Sequence, residues 1–169
     1  MRRFSQMILL VWLGAASASS AWAEASNMRG LTVPPYPFGC KYIEGTILYD
    51  ADNYRAGSAT HGTTTLKCGK SFFVLLERLV SRDGTKPISK IVDQLLLPSL
   101  GPSQEIMNSL ICSSTQSSNS TMAIGEFSIQ PDKSLLSKNI VISWTFELDR
   151  DRIVVVPSES VECSVDAVD

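Results

Sequence analysis

Four cysteines, Cys40, Cys68, Cys112 and Cys163, constrain this chain more than any other feature, because their pairing decides how much of the fold covalent links can hold. Pairing depends on the compartment, and the N-terminus speaks to that. Arg2 and Arg3 form a positive start, Met7 to Ala16 an apolar run, and Ala21-Trp22-Ala23 a small-x-small cleavage pattern. This is the layout of a secretory signal peptide over residues 1–23, with Glu24 as the new N-terminus. An apolar run of about ten residues is too short to cross roughly 30 Å of hydrocarbon as an anchor. The first cysteine, Cys40, lies far from the cleavage point, which argues against a lipid-modified N-terminus. Phe4 directly after the arginines makes a poor twin-arginine signal. The expected location is periplasmic or secreted.

In an oxidising compartment an even cysteine count reads as two disulfides. Three pairings are open, and the sequence neighbours Cys40–Cys68 and Cys112–Cys163 are favoured. Loops of about 28 and 51 residues would each stabilise the fold by roughly 3.5–4 kcal/mol in the chain-entropy treatment. There is no C-x-x-C spacing, so a redox-active dithiol is not indicated.

Cleavage after Ala23 leaves 146 of the 169 residues, one domain's worth. It also removes two of the 15 basic residues, which against 17 acidic ones leaves a net charge of −4. No basic run favours nucleic acid or anionic lipid, and no later stretch is apolar enough to span a membrane. Residues 24–39 read as a proline-rich N-terminal arm, with Pro34, Pro35 and Pro37 around Tyr36. Such an arm lies on its domain or serves as an extended ligand for an aromatic groove, and the first reading is preferred. Residues 40–169 form the single disulfide-stapled domain.

Alternating or β-branched side chains predict strands over 41–49, 63–68, 122–130, 139–148, 153–156 and 161–165. Asp50 to Gly62 and Ser113 to Thr121 read as polar loops, and the last third as a meander ending at Cys163. The region 72–97 is ambiguous. Phe72, Phe73, Leu75, Leu76, Leu79 and Val80 fit helical spacing, as do Ile88, Ile91, Val92, Leu95 and Leu96. Asp83-Gly84 between the two runs is a β-hairpin signal, while Pro87 suits the start of a second helix.

Two stretches carry a resemblance. Val92-Asp93-Gln94-Leu95-Leu96-Leu97-Pro98-Ser99-Leu100 is one. The other runs from Trp144-x-Phe146 through a charged turn to Ile153-Val154-Val155-Val156-Pro157 and Val161-x-Cys163. Together they resemble small exported proteobacterial β-proteins of no assigned activity. The resemblance implies extended structure over 88–97 and transfers no functional residue. The expected fold is mainly β, an antiparallel sandwich or barrel-like meander with minor helix and two disulfides. The alternative is α+β with a helical hairpin at 72–97.

The search for chemistry yields little. His61 is the only histidine and stands in a polar loop, where a solvated role is the ordinary one; no G-x-S-x-G elbow surrounds any serine. One imidazole without spare thiolates is a poor start for zinc. Gly69-Lys70-Ser71 resembles the end of a phosphate loop, but Thr64 stands where the motif needs glycine. Asp50-Ala51-Asp52-Asn53 offers calcium-type oxygens, followed by Tyr54 and Arg55 where a calcium loop needs a further ligand and glycine. Asn119-Ser120-Thr121 is a glycosylation pattern without meaning in a bacterial periplasm. A carboxylate pair drawn from Glu44, Glu77, Glu126 and Glu147 would serve a hydrolase only if two met in one cleft.

Catalytic, cofactor-binding and metal residues are therefore assigned to none. Trp144 and Phe146, on one strand face, are core by default and a binding surface if exposed; Tyr36 is a further surface candidate. The expected function is an exported non-enzymatic protein-binding module, such as an inhibitor or immunity-type protein or an accessory subunit of an envelope complex. Its expected partner is another exported or envelope protein. A small secreted carboxylate-dependent hydrolase and a purely structural envelope component are the alternatives.

Overall fold

Strand pairing organises the chain into two antiparallel sheets. The computed structural model describes residues 27–48, 59–131 and 134–165. The expected leader over 1–23 and the Asp50–Asn53 segment lie outside the described residues. The first sheet holds β1 (Thr32–Val33), β2 (Cys40–Leu48), β3 (His61–Cys68), β4 (Ser71–Asp83) and β5 (Lys86–Leu97), in the order β1-β5-β4-β3-β2. The second runs β6-β8-β9-β11-β7. Its strands are β6 (Glu105–Met107), β7 (Cys112–Ser114), β8 (Thr121–Ile129), β9 (Leu135–Glu147), β10 (Arg152–Val156) and β11 (Val161–Val165), with β10 also pairing β9. The only helical turns among the described residues are short 3-10 segments at Leu148–Arg150 and Ser158–Ser160. The fold is the expected mainly β one, of sandwich type.

The helical hairpin at 72–97 does not form. β4 and β5 pair in one long antiparallel register from Phe72↔Leu97 to Asp83↔Lys86. Gly84, at φ +60°, opens the two-residue turn, as a hairpin of this hand requires. The helix-like spacing has a physical origin. Val74 and Leu76 point into the core between the sheets, with Leu48, Met122, Ile124, Trp144 and Phe146. Phe73 and Leu75 point the other way, into a cluster closed by Met28 and Val33 of the N-terminal arm. A strand buried on both faces loses its alternation and reads as a continuous apolar run. The arm thus lies on the domain, with β1 pairing β5 through Thr32↔Lys90 and Val33↔Ser89.

In the second sheet β8 pairs one edge of β9 while β10 and β11 follow one another along its other edge, through Ser143–Glu147 and Leu135–Leu136 respectively. β11 therefore returns past β10 instead of pairing with it, which corrects the simple meander. It also pairs with β7, so Ser113 and Ser114, expected to be loop, belong to a strand. Gly69 and Lys70 form another two-residue hairpin loop, with Gly69 at φ +62°, between Cys68 and Ser71.

Both disulfides join residues directly opposed on paired strands, Cys40–Cys68 across β2 and β3 and Cys112–Cys163 across β7 and β11. Neither sits in the central core. Each belongs to a smaller cluster on the outer face of its own sheet: Cys68 with Leu66, Phe73 and Ile91, and Cys112 and Cys163 with Met107, Ala123 and Val161. The crosslinks thus lie in the outer clusters and leave the inter-sheet core unlinked.

Reduction of both disulfides should lower the thermal midpoint by more than about 10 °C, because each closes a long loop of the unfolded chain. Calorimetry with and without reductant reads this directly, and equal midpoints would refute it. Leu76→Ala, by opening the inter-sheet core, should cost about 2–5 kcal/mol in denaturant titration.

Candidate functional site

Where the arm leaves the outer face of the first sheet uncovered, a cavity of about 400 Å³ opens over β2–β5. That size falls in the range of small-ligand sites, roughly 300–1,000 Å³. Gly45 helps to shape it. A Cβ there would stand 2.8 Å from the Tyr42 hydroxyl and 2.9 Å from the Thr63 carbonyl oxygen, so only glycine lets Tyr42 fold back across its own strand. The Tyr42 ring then lies 6.3 Å from that of Tyr36, contributed by the arm.

Glu77 of β4 also lines the cavity and is only 7% exposed. It stands opposite Gly62 of β3, whose missing side chain leaves room beside it. The Tyr36 hydroxyl donates to Glu77 Oε1 at 3.1 Å and lies 3.1 Å from Thr64 Oγ1. Burial pushes the Glu77 carboxyl above the usual carboxylate range, and the hydroxyls of Thr64 and Tyr36 only partly restore it. Burial, with the Glu77 charge beside it, likewise holds the Tyr36 phenol up to about 12. Among the described residues, no ion pair includes Glu77. A buried carboxyl held only by hydroxyls, beside open space, is unusual, because buried charges are otherwise paired or neutralised.

A second polar cluster clasps the two sheets together. His61 is buried at the start of β3, which corrects the expectation of a solvated loop histidine. Its Nε2 lies 2.9 Å from Asp151 Oδ1 and its Nδ1 2.9 Å from Thr60 Oγ1. Arg78 Nε donates to Asp151 Oδ1 at 3.1 Å, and its Nη2 pairs with Oδ2. Asp151, at φ 51°, ends the 3-10 turn that leads into β10. An ionised carboxylate can only accept, so Nε2 carries the imidazole proton and Nδ1 accepts from Thr60. The connectivity Thr60–His61–Asp151 is that of a nucleophile–base–carboxylate relay. Yet Arg78 holds both carboxylate oxygens, and burial together with its charge lowers the imidazole's basicity. The arrangement suits a clasp better than a base. Asp93 makes a parallel tie, accepting from the Ile153 N–H at 2.7 Å and pairing with Arg29 of the arm.

Of the residues singled out in the sequence, Tyr36 lies at the cavity. Trp144 and Phe146 do not. Both are fully buried between the sheets, so they are core and form no binding surface. Their strand is central to the second sheet, and the first sheet covers that face. The four glutamates do not converge either. Glu44 stands opposite Thr65, whose side chain faces away from Thr64 and the cavity. On the second sheet Glu126 accepts from Ser103 and Asn139, and Glu147 pairs with Arg152 and Arg150. Among the described residues, no three His, Cys, Asp or Glu side chains gather as a metal site would need. No helix among them is long and apolar enough to cross a membrane. Neither a family model, a curated protein nor a solved structure matches the chain.

Two opposite pH dependences follow. His61 titrates lower in the folded state, so its contribution to stability is complete above about pH 6.5 and is lost as pH falls below that. Equilibrium denaturation should show the decline as pH falls below about 6.5 in the wild type and a flatter profile in His61→Gln. Glu77 titrates higher when folded, so its contribution is complete below about pH 4.5 and is lost as pH rises. Glu77→Gln should therefore raise the thermal midpoint by about 2–5 °C at pH 7 and much less at pH 4; a lower midpoint at pH 7 would count against the burial argument.

Proposed function

We propose that the protein is an exported, non-enzymatic binding module that engages another exported or envelope protein through the outer face of its first sheet. An inhibitor or immunity-type protein and an accessory subunit of an envelope complex both fit this reading. The observation that carries it is the cavity itself, where a buried carboxyl and two tyrosines stand beside open space on a disulfide-stapled sheet. A rigid sheet presents such groups without the ordering cost that a mobile loop would add on binding. Export is supported by the leader-like residues 1–23, by the resemblance to small exported proteobacterial proteins, and by the pairing of all four cysteines. Protein disulfides persist where the surroundings are oxidising. Ile47, exposed at the rim of the cavity, extends the apolar part of the face beyond Tyr42.

Affinity capture from envelope extract tests the assignment. Wild type and Ile129→Glu, a substitution on the second sheet, should enrich the same partner. Ile47→Glu should reduce that enrichment by about tenfold or more, as loss of an interface anchor does. A partner indifferent to Ile47 would exclude this face. Mass spectrometry of the protein from its native host should find an N-terminus at Glu24 and no free thiol. Four free thiols would refute export.

A further inference from the structure

From the cavity's chemistry we infer that it takes an organic cation, an alkyl ammonium or guanidinium group, seated against Glu77 beside the paired rings of Tyr36 and Tyr42. This deepens the reading above and rests on it for the choice of face, though not for the identity of a partner. Three observations converge. Glu77 is almost wholly buried and, among the described residues, has only hydroxyl partners, with Tyr36 donating to Oε1 at 3.1 Å. Bringing a cation to such a carboxylate recovers attraction that burial would otherwise forfeit, and the bond so formed is charge-assisted. Tyr36 and Tyr42, with ring centroids 6.3 Å apart and planes inclined by 35°, form an aromatic wall beside it. Aromatic faces attract ammonium and guanidinium groups and also shelter the methylenes that carry them.

The lining is consistent with a ligand that has an apolar stem. Ile47 and Leu79 offer carbon surface, while Thr64 and Ser89 add hydroxyls. Arg82, a cationic group of the lining, stands five residues beyond Glu77 on β4. At about 3.3 Å per residue, that separates the two Cα atoms by up to roughly 16 Å along the strand. Arg82 forms no ion pair with Glu77 that would occupy the carboxyl.

The cation has two natural sources, a lysine or arginine side chain of a partner protein and a free small amine. The test uses the full chain as its host processes it. Butylammonium and agmatine serve as free-cation probes, and a capped Gly-Lys-Gly peptide represents the side chain. The same peptide with norleucine in place of lysine is the neutral control. NMR should show saturable shifts of the Glu77 side-chain carboxyl and of the Tyr36 and Tyr42 rings with cationic probes and none with the norleucine peptide. The Glu77 carboxyl titration should move to lower pH when a probe is bound, since the cation favours the ionised form.

Glu77→Gln should weaken binding by about tenfold or more, as loss of a charge-assisted bond predicts. Because that variant is expected to fold more stably than wild type, lost binding cannot be ascribed to unfolding. Tyr42→Ala should also weaken binding while leaving the Glu77 carboxyl in place. A lysine peptide that binds more tightly than butylammonium identifies a protein side chain as the source; equal or weaker peptide binding identifies a small amine. Either supports the cation site. It is overturned by the absence of saturable shifts with every cation, by equal binding to Glu77→Gln, or by equal binding of the norleucine peptide. Failure here with capture still sensitive to Ile47 would leave the protein-binding face standing without a cation. Cation binding with no Ile47-dependent partner would do the reverse.

Discussion

The two-sided burial of β4 is the constraint on which the rest of this structure depends. Val74 and Leu76 join the inter-sheet core, and Phe73 and Leu75 anchor the cluster that the N-terminal arm covers. Burying all four removes enough apolar surface to hold three layers together: arm, first sheet and second sheet. The arm is thereby a structural layer as well as a leader into the domain. Because Met28 and Val33 are held there, Tyr36 is carried to the edge of the covered region, where the cavity begins.

Glu77 follows from the same geometry. It continues the outward-facing series Phe73, Leu75, Glu77, but stands where the arm's apolar cover gives way to tyrosine and open space. Its carboxyl is therefore deprived of water, and among the described residues no cation pairs with it. Such a group opposes folding at neutral pH, and sites that bind ligands commonly carry strain or desolvation of this kind at the expense of stability. The His61–Asp151–Arg78 cluster, on the opposite face of the sheet, does the contrary. Its donors and acceptors answer one another and link β3 and β4 to the turn before β10. One polar group faces space with only hydroxyls around it; the other closes the sandwich.

The disulfides complete the division of labour. The central core contains large side chains from both sheets and stands without crosslinks, whereas each outer cluster includes a disulfide. Tying adjacent strands on an outer face limits local opening there. The face that carries the cavity is among those so reinforced, through Cys40–Cys68 beside Tyr42.

Much of the fold was legible along the chain, and for a local reason. Alternating or β-branched runs marked β2, β8, β10 and β11 near their true limits and β9 from its fifth residue onward, Asp83-Gly84 marked the hairpin, and the cysteine order suggested the pairing that occurs. The misreadings share one cause. Helical spacing over 72–97 and the loop assignment of His61 both failed because burial on a second face, or by a distant turn, leaves no trace in neighbouring residues. Trp144 and Phe146 were exchangeable between core and surface until the opposing sheet was in place. The site was less legible still, since Glu77 meets Tyr36 across 41 positions and His61 meets Asp151 across 90. Local residue order determines which segments extend, turn and crosslink. Only the packed layers decide which carboxyl is stripped of water and which is matched, because that depends on what distant chain lies over it.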